Sequence, residues 1–208
     1  MPLDLAALVD PAHTALVTQE CQNGVIGELS ALPQLAEAAA PIRPNLGRIA
    51  SGARTAGVPV LHALAARRAD GLGSNRNARL FMGVRKSPNP LLPGSPAAQV
   101  VSELGPEEGD LATTRLHGLG PFAGTDLDAL LRNLGVTTVV AVGVSINVGM
   151  TNLVMDAVNL GYQVVLPRDA VAGLPREYAD AVIDNTLALL ATVTTVDDVL
   201  ACWASAGS

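Results

Sequence analysis

The sequence predicts a three-layer α/β/α fold, with a mainly parallel sheet of about six strands covered by helices on both faces. Three observations carry this. Short Val- and Leu-rich runs alternate with segments of helical periodicity along the whole chain. Hydrophobic residues make up 49% of the sequence and aromatics only 2%, so the core has to be aliphatic. Residues 137–170, TTVVAVGVSINVGMTNLVMDAVNLGYQVVLPRDA, read as a buried strand (137–142), a polar glycine-containing turn, a helix (about 148–160) and a second buried strand (163–166). The length of 208 residues suits one domain over 1–208.

Taken in order, TALVTQ (14–19) is a buried-strand candidate that ends in the polar cluster Glu20-Cys21-Gln22-Asn23-Gly24. A helical region from about 30 to 56 follows. Pro41 and Pro44 interrupt it, because proline lacks a donor and clashes with the preceding turn, and Gly57 closes it. VPVLHAL (58–64) is the second strand. Residues 65–95 carry Arg67, Arg68, Arg76, Arg79, Arg85 and Lys86 among Gly, Asn and Pro with no sustained period, which reads as a long surface excursion. Its cations can meet an anionic substrate or simply form a solvated face. Ser95 can cap a short helix over 96–104, and 110–116 is the third strand. A glycine-rich loop, Arg115 to Thr125, enters a helix over 126–134, with Thr125 as cap and Asp128 placed for a capping box. Beyond the central unit come a helix over 174–191 opened by Pro175, a short strand at 192–195, and a last helix from about 197 to 204.

The formal net charge of -6 excludes a nucleic-acid or anionic-membrane surface, which needs clustered Lys and Arg. No apolar run reaches the roughly 20 residues of a membrane span. The start Met1-Pro2-Leu3-Asp4 lacks a basic segment followed by an apolar core, so a cytoplasmic location is expected. Cys21 and Cys202 are too few for a disulfide framework or a thiolate zinc site. The expected partners are small molecules, and the turn Gly143–Gly149 is the first candidate site, because loop residues and unpaired helix N–H groups converge where a strand turns into a helix.

Three segments carry a family resemblance: Ala15-Leu16-Val17-Thr18-Gln19-Glu20-Cys21-Gln22-Asn23, Phe122-Ala123-Gly124-Thr125-Asp126-Leu127-Asp128, and the unit 143–170 with its Asp156-Ala157 and Gly161-Tyr162. In order and spacing they resemble the isochorismatase-like cysteine hydrolase superfamily, which includes nicotinamidases and N-carbamoyl amidohydrolases. The resemblance implies a six-stranded parallel sheet between helices, assembled as a dimer or tetramer. Nucleophilic members carry an Asp after the first strand, a Lys after the third and a Cys at the start of the helix after the fourth, since a thiolate at neutral pH needs a base, a cation and a helix N-terminus. Here Glu20 stands at the Asp position, Arg115 or Leu116 at the Lys position, and Gly149 at the Cys position.

Without sulfur at 149, thioester chemistry has no nucleophile at its expected place. The resemblance also extends to vinyl-ether hydrolases that have glycine there, in which a carboxylic acid protonates an enol-ether methylene and water captures the oxocarbenium ion. Glu20 can fill that acid role with Arg115 as charge partner, or the two can be a structural salt bridge. The N–H groups of Val148 and Gly149 are candidate holders of an oxyanion or substrate carboxylate. A cis peptide at Val144-Ser145 is expected from the family. Asn147 either lines the pocket or caps the helix. Gln22, His117, Phe122, Val144 and Ser145 complete the expected substrate-binding set; a lone loop histidine such as His117 can equally be solvated. His62 falls at a second-strand end where nicotinamidases place metal ligands just beyond, but Ala63-Leu64-Ala65-Ala66 supplies none, so no metal is expected. No cofactor is expected either. Trp203 and Cys202 read as packing or subunit-interface residues.

Overall fold

A computed structural model describes residues 4–206; residues 1–3, part of the N-terminal stretch read above, lie outside it. The strands are β1 (Thr14–Gln19), β2 (Val60–Ala65), β3 (Leu111–Arg115), β4 (Thr138–Val144), β5 (Gln163–Pro167), β6 (Val171–Ala172) and β7 (Thr192–Thr194). They form one sheet in the order β3-β2-β1-β4-β5-β7, with β6 also pairing β4, and every named pair is parallel. Parallel pairing forces crossovers over the faces, and the helices supply them. They are α1 (Leu5–Leu8), α2 (Pro33–Ala39), α3 (Arg43–Thr55), α4 (Arg79–Val84), α5 (Leu127–Asn133), α6 (Thr151–Asn159), α7 (Arg176–Asn185) and α8 (Val196–Ala206).

Side-chain alternation along β1 and β4 divides the core in two. Leu16, Val140, Val142 and Val144 join Leu46, Ile49 and Ala53 of α3 and Val199 and Trp203 of α8. Ala15, Val17, Val139 and Ala141 face Leu131 of α5, Leu153 and Ala157 of α6 and Val182 of α7. Both strands are therefore buried throughout, which is why they read as continuous apolar runs. Trp203 belongs to this core, 3% exposed and donating its indole N–H to the Val9 carbonyl at 2.9 Å, so it packs within the chain.

The helical region expected over 30–56 is interrupted at Pro41 as expected, being two helices, α2 and α3, joined by a 3-10 turn at Ala40–Ile42 where Pro41 withdraws its donor. Pro44 breaks nothing, because it sits in the first turn of α3. Other boundaries depart from the sequence reading for local reasons. The expected helix over 96–104 is two 3-10 turns, Pro96–Ala98 and Ser102–Leu104, because Val100 between them forms an antiparallel bridge with Gln22. Thr125 hydrogen-bonds the N–H of Leu127 at 3.2 Å, but Asp128 closes no capping box; it accepts from the Tyr162 hydroxyl at 2.8 Å and from Arg132 at 3.0 Å. β6 went unread because two residues show no period. The excursion is not featureless either, since it contains α4.

Two polar features hold the frame. Gly143 sits at φ 117°, and a Cβ there would lie 2.3 Å from the Gln19 carbonyl oxygen and 2.9 Å from Cys21 Sγ, so the ends of β1 and β4 approach closely only because 143 has no side chain. Behind β1 runs a buried chain: Thr18 Oγ1 to His62 Nδ1 at 2.8 Å, His62 Nε2 to Asp110 Oδ2 at 3.1 Å, and Asp110 to Arg54 at 2.7 and 3.0 Å. Burial lowers the His62 pKa from its ordinary 6.5, with the Asp110 contact opposing. Burial also pushes Asp110 up, but hydrogen bonds from Arg54, the Glu107 N–H and His62 outweigh it and bring the carboxyl down to about 2.

Gly143→Ala is expected to cost at least about 2 kcal/mol in chemical denaturation, from the positive φ and the backbone overlap together. Both buried titrating groups bind protons less readily folded than unfolded, so stability is lost as pH falls: first below 6.5 for His62, then between 3.8 and about 2 for Asp110. Thermal midpoints across pH 8 to 2 should show both declines, and His62→Gln should flatten the upper one.

Candidate active site at the ends of β1 and β4

The chain leaves β1 for β2 on one side and reaches β4 on the other, so the sheet order reverses between β1 and β4. A crevice opens at such a switch point outside the carboxyl ends of the strands. The register brings four of those ends together, pairing Gln19 with Ala63 and Gly143, and Ala65 with Arg115. A pocket of about 740 Å³ lies over them. Glu20, Arg115, Leu116, His117, Ser145, Asn147, Val148 and Gly149 line its floor, while the excursion, from Arg67 to Leu91, builds much of one wall.

Glu20 enters this pocket by a backbone reversal. Its φ is +53°, the one positive value at a described non-glycine residue, with its N–H bonded to the Ala63 carbonyl at 2.9 Å. Such a conformation costs about 1–3 kcal/mol and persists where the surroundings impose it. It turns Glu20 toward the pocket and Cys21 into the core. Glu20 Oε1 accepts from Arg115 Nη2 and from Gln19 Nε2, the latter at 3.2 Å; Oε2 takes no hydrogen bond among the described residues. The ion pair is thus held through one carboxylate oxygen, not two. Arg115, 6% exposed, also donates Nε to the Gly118 carbonyl at 3.2 Å, and its Nη1 is buried without a partner among the described residues.

Gln19 is the site residue that the sequence reading missed. It is fully buried, its Nε2 reaches Glu20, and a Cβ built on Gly149 would lie 3.1 Å from that nitrogen and 3.2 Å from the Val144 carbonyl oxygen. Its amide therefore leans over the bare backbone at 149. The available signal was a glutamine closing an otherwise apolar strand.

The turn after β4 differs from the expected helix start. Ile146–Met150 is a single π-helical turn preceding α6, and π-turns gather at functional sites. The Val144-Ser145 peptide is cis. The Val148 N–H is already donated to the Ser145 carbonyl at 3.0 Å, so Val148 lines the pocket without offering that donor to a ligand. Asn147 does not cap the helix; its Nδ2 donates to the Leu174 carbonyl at 3.0 Å, and Oδ1 accepts the Leu174 N–H at 3.4 Å, tying the turn to the segment before α7.

Three expected binding residues lie elsewhere. Gln22 is buried and spends its amide on the Ala65 and Ala98 carbonyls (3.0 and 2.8 Å) and the Ala65 N–H (2.8 Å), a brace between β2 and the 96–98 turn. Phe122 stacks on Tyr162 with centroids 6.1 Å apart inside the core, because its apolar ring finds a partner there and not at the mouth. The Val144 side chain packs in the core facing α3 and α8. His117 does lie at the pocket, exposed, with its ring against Gly124. His62 belongs to the buried chain behind β1. Burial, and after it the Glu20 charge, push the Cys21 thiol up, so it is held as a thiol. Among the described residues no group of three or more His, Cys, Asp or Glu side chains is placed to hold a metal, and no helix is long and apolar enough to cross a membrane.

A glutamate held by an arginine at the end of the first strand, facing a turn that leaves the fourth, can be set beside known proteins. The ureidoacrylate amidohydrolase RutB of Pseudomonas syringae pv. syringae (strain B728a) is 28% identical, over 95% of this chain and 86% of that one. A 36% identical stretch of 86 residues matches the isochorismatase family protein YwoC of Bacillus subtilis (strain 168), covering 45% of its length. Among solved structures, a cysteine hydrolase from Pseudomonas syringae pv. phaseolicola 1448A superposes with a TM-score of 0.83 at 25% identity, over 96% of both chains. An isochorismatase family protein from Desulfovibrio vulgaris gives 0.79 at 29%, over 90% of this chain and 98% of that one. The isochorismatase domain model matches residues 14–198, from the first residue of β1 into α8, and the chain belongs to the isochorismatase family.

Proposed function

We propose that this family member is a hydrolase acting on a small carboxylate without a cysteine nucleophile, with Glu20 as general acid/base working through Oε2. The observation that carries this is the asymmetry of Glu20. It is the one carboxyl lining the pocket among the described residues, with Oε1 held by two donors and Oε2 unengaged. The held oxygen sets the orientation, and a positioned group saves the entropy of finding it. The open oxygen is where a proton is given or taken. Arg115 is the charge partner, and Ser145, Asn147, Val148 and Gly149 of the turn after β4 line the same pocket.

For an enol ether of the isochorismate type the step balances without sulfur. Oε2–H gives its proton to the terminal methylene carbon, the alkene electrons form the new C–H bond, and the ether oxygen shares the resulting positive charge. Water adds to the ether-bearing carbon, which shares the charge with that oxygen, and returns a proton to Glu20. The hemiketal then parts into pyruvate and an alcohol. The buried Cys21 thiol has no place in the sequence of events. One observation favours a second reading, a non-catalytic ligand-binding protein: the Glu20–Arg115 salt bridge, which is also a sound structural pair.

Turnover measured on a panel of vinyl-ether, carbamoyl and amide substrates separates the two. Glu20→Gln should lower kcat on the active substrate by about 10²–10⁴-fold with the far-UV dichroism unchanged; retained turnover sinks the assignment. The packing of Gln19 on Gly149 has its own consequence. Gly149→Ala should destabilise by about 1 kcal/mol, because crowding of about 1–3 kcal/mol outweighs the backbone gain of at most about 1 kcal/mol. Combined with Gln19→Ala, the loss should fall short of the sum of the single variants by about 1 kcal/mol in denaturant unfolding.

A further inference from the structure

Arg67 and Arg85 line the same pocket, half-buried, and neither takes part in an ion pair among the described residues. The lining thus holds three arginines against one glutamate, in a chain whose net charge is -6. Arg115 answers Glu20, which leaves the other two guanidinium groups without a counter-charge among the described residues. Two half-buried guanidinium groups in one pocket offer planar forks that match a carboxylate. Beside these cations the wall is apolar: Leu32, Leu35, Phe81, Val84 and Leu91. At about 740 Å³ the space exceeds what a compact polar carboxylate fills.

We infer that the pocket takes an amphipathic carboxylate, with its anionic head at Arg67 and Arg85 and its apolar body along Leu32, Leu35, Phe81, Val84 and Leu91. The inference rests on the reading of this pocket as the active site, and it moves substrate anchoring from the Ser145–Gly149 turn to the excursion. The head is fixed by charge, the body by exclusion of water, and the scissile group is thereby carried to Glu20. A polyol-like substrate would leave that wall against water and gain nothing from it. Arg76, Arg79 and Lys86 on the same excursion take part in no ion pair among the described residues and add positive charge to the segment that builds this wall.

Calorimetric titration of the full chain with octanoate, octanamide and acetate tests this. Octanoate should bind, with octanamide and acetate each at least about tenfold weaker. Arg67→Gln and Arg85→Gln should weaken octanoate by at least about tenfold and leave octanamide unchanged, whereas Phe81→Ala should weaken both. Equal binding of octanoate and octanamide, binding of acetate as tight as octanoate, unchanged octanoate affinity in both arginine variants, or no octanoate binding overturns the inference. Should an arginine variant fail to fold by circular dichroism, the wild type decides: added salt should weaken octanoate and not octanamide, and equal salt response overturns the inference. Glu20→Gln should bind octanoate at least as tightly as wild type. Loss of the catalytic role with carboxylate binding kept defeats the proposed reaction alone, and Glu20-dependent turnover without carboxylate binding defeats only the ligand class.

Discussion

The close approach of the β1 and β4 ends is the constraint from which the site follows. Gly143 lies against the backbone of Gln19, at a distance no side chain fits. Because those two strands end level with each other, the residue after β1 and the turn after β4 face one pocket. The reversal at Glu20 then sorts neighbours, sending the carboxyl outward and the thiol of Cys21 into the core. A frame buried on both faces sustains that strained residue, since neither strand can shift without exposing apolar side chains on one side or the other.

Within the site, small differences of size are coupled. The absence of a side chain at 149 leaves space that the Gln19 amide fills, and the same amide steadies Glu20 Oε1. Glutamate at 20 reaches Arg115 at the end of β3, two strands away, and is held through one oxygen. Gln19, Glu20, Arg115 and Gly149 are therefore best regarded as one unit. The buried Thr18–His62–Asp110–Arg54 chain stands apart from it: it cross-links β1 and β2 to α3 and the start of β3 and makes no contact with the pocket lining through its hydrogen bonds.

The excursion between β2 and β3 gives the pocket its character. It is anchored at both sides, through the Arg67 N–H to the Leu91 carbonyl at 2.8 Å and through Asn75 Oδ1 to the Gly118 N–H at 2.8 Å. With α4 it presents cations and apolar side chains to the same space. A charge run that in sequence looks like a solvated face is in part a pocket wall.

Alternating periodicity, the aliphatic composition and the glycine-bearing turn were enough to determine the layered fold and the order of its longer strands, because burial on both faces of the central strands β1 and β4 leaves a local imprint, whereas the two residues of β6 leave none. Glu20 and Arg115 were legible as charges at strand ends, and the resemblance of three segments put Gly149 opposite them. Only the tertiary structure decided which polar residues share the pocket. Gln22 braces backbone carbonyls, Phe122 stacks in the core, and Val144 points into the other core layer, although all three sit in the right segments. Gln19 and the excursion arginines join the site instead. Direction after a strand end is set by single backbone dihedrals, such as the reversal at Glu20, and by partners 40 to 100 residues away, as in the Gln22–Ala65 and Glu20–Arg115 pairs, and neither leaves a periodic signal along the chain.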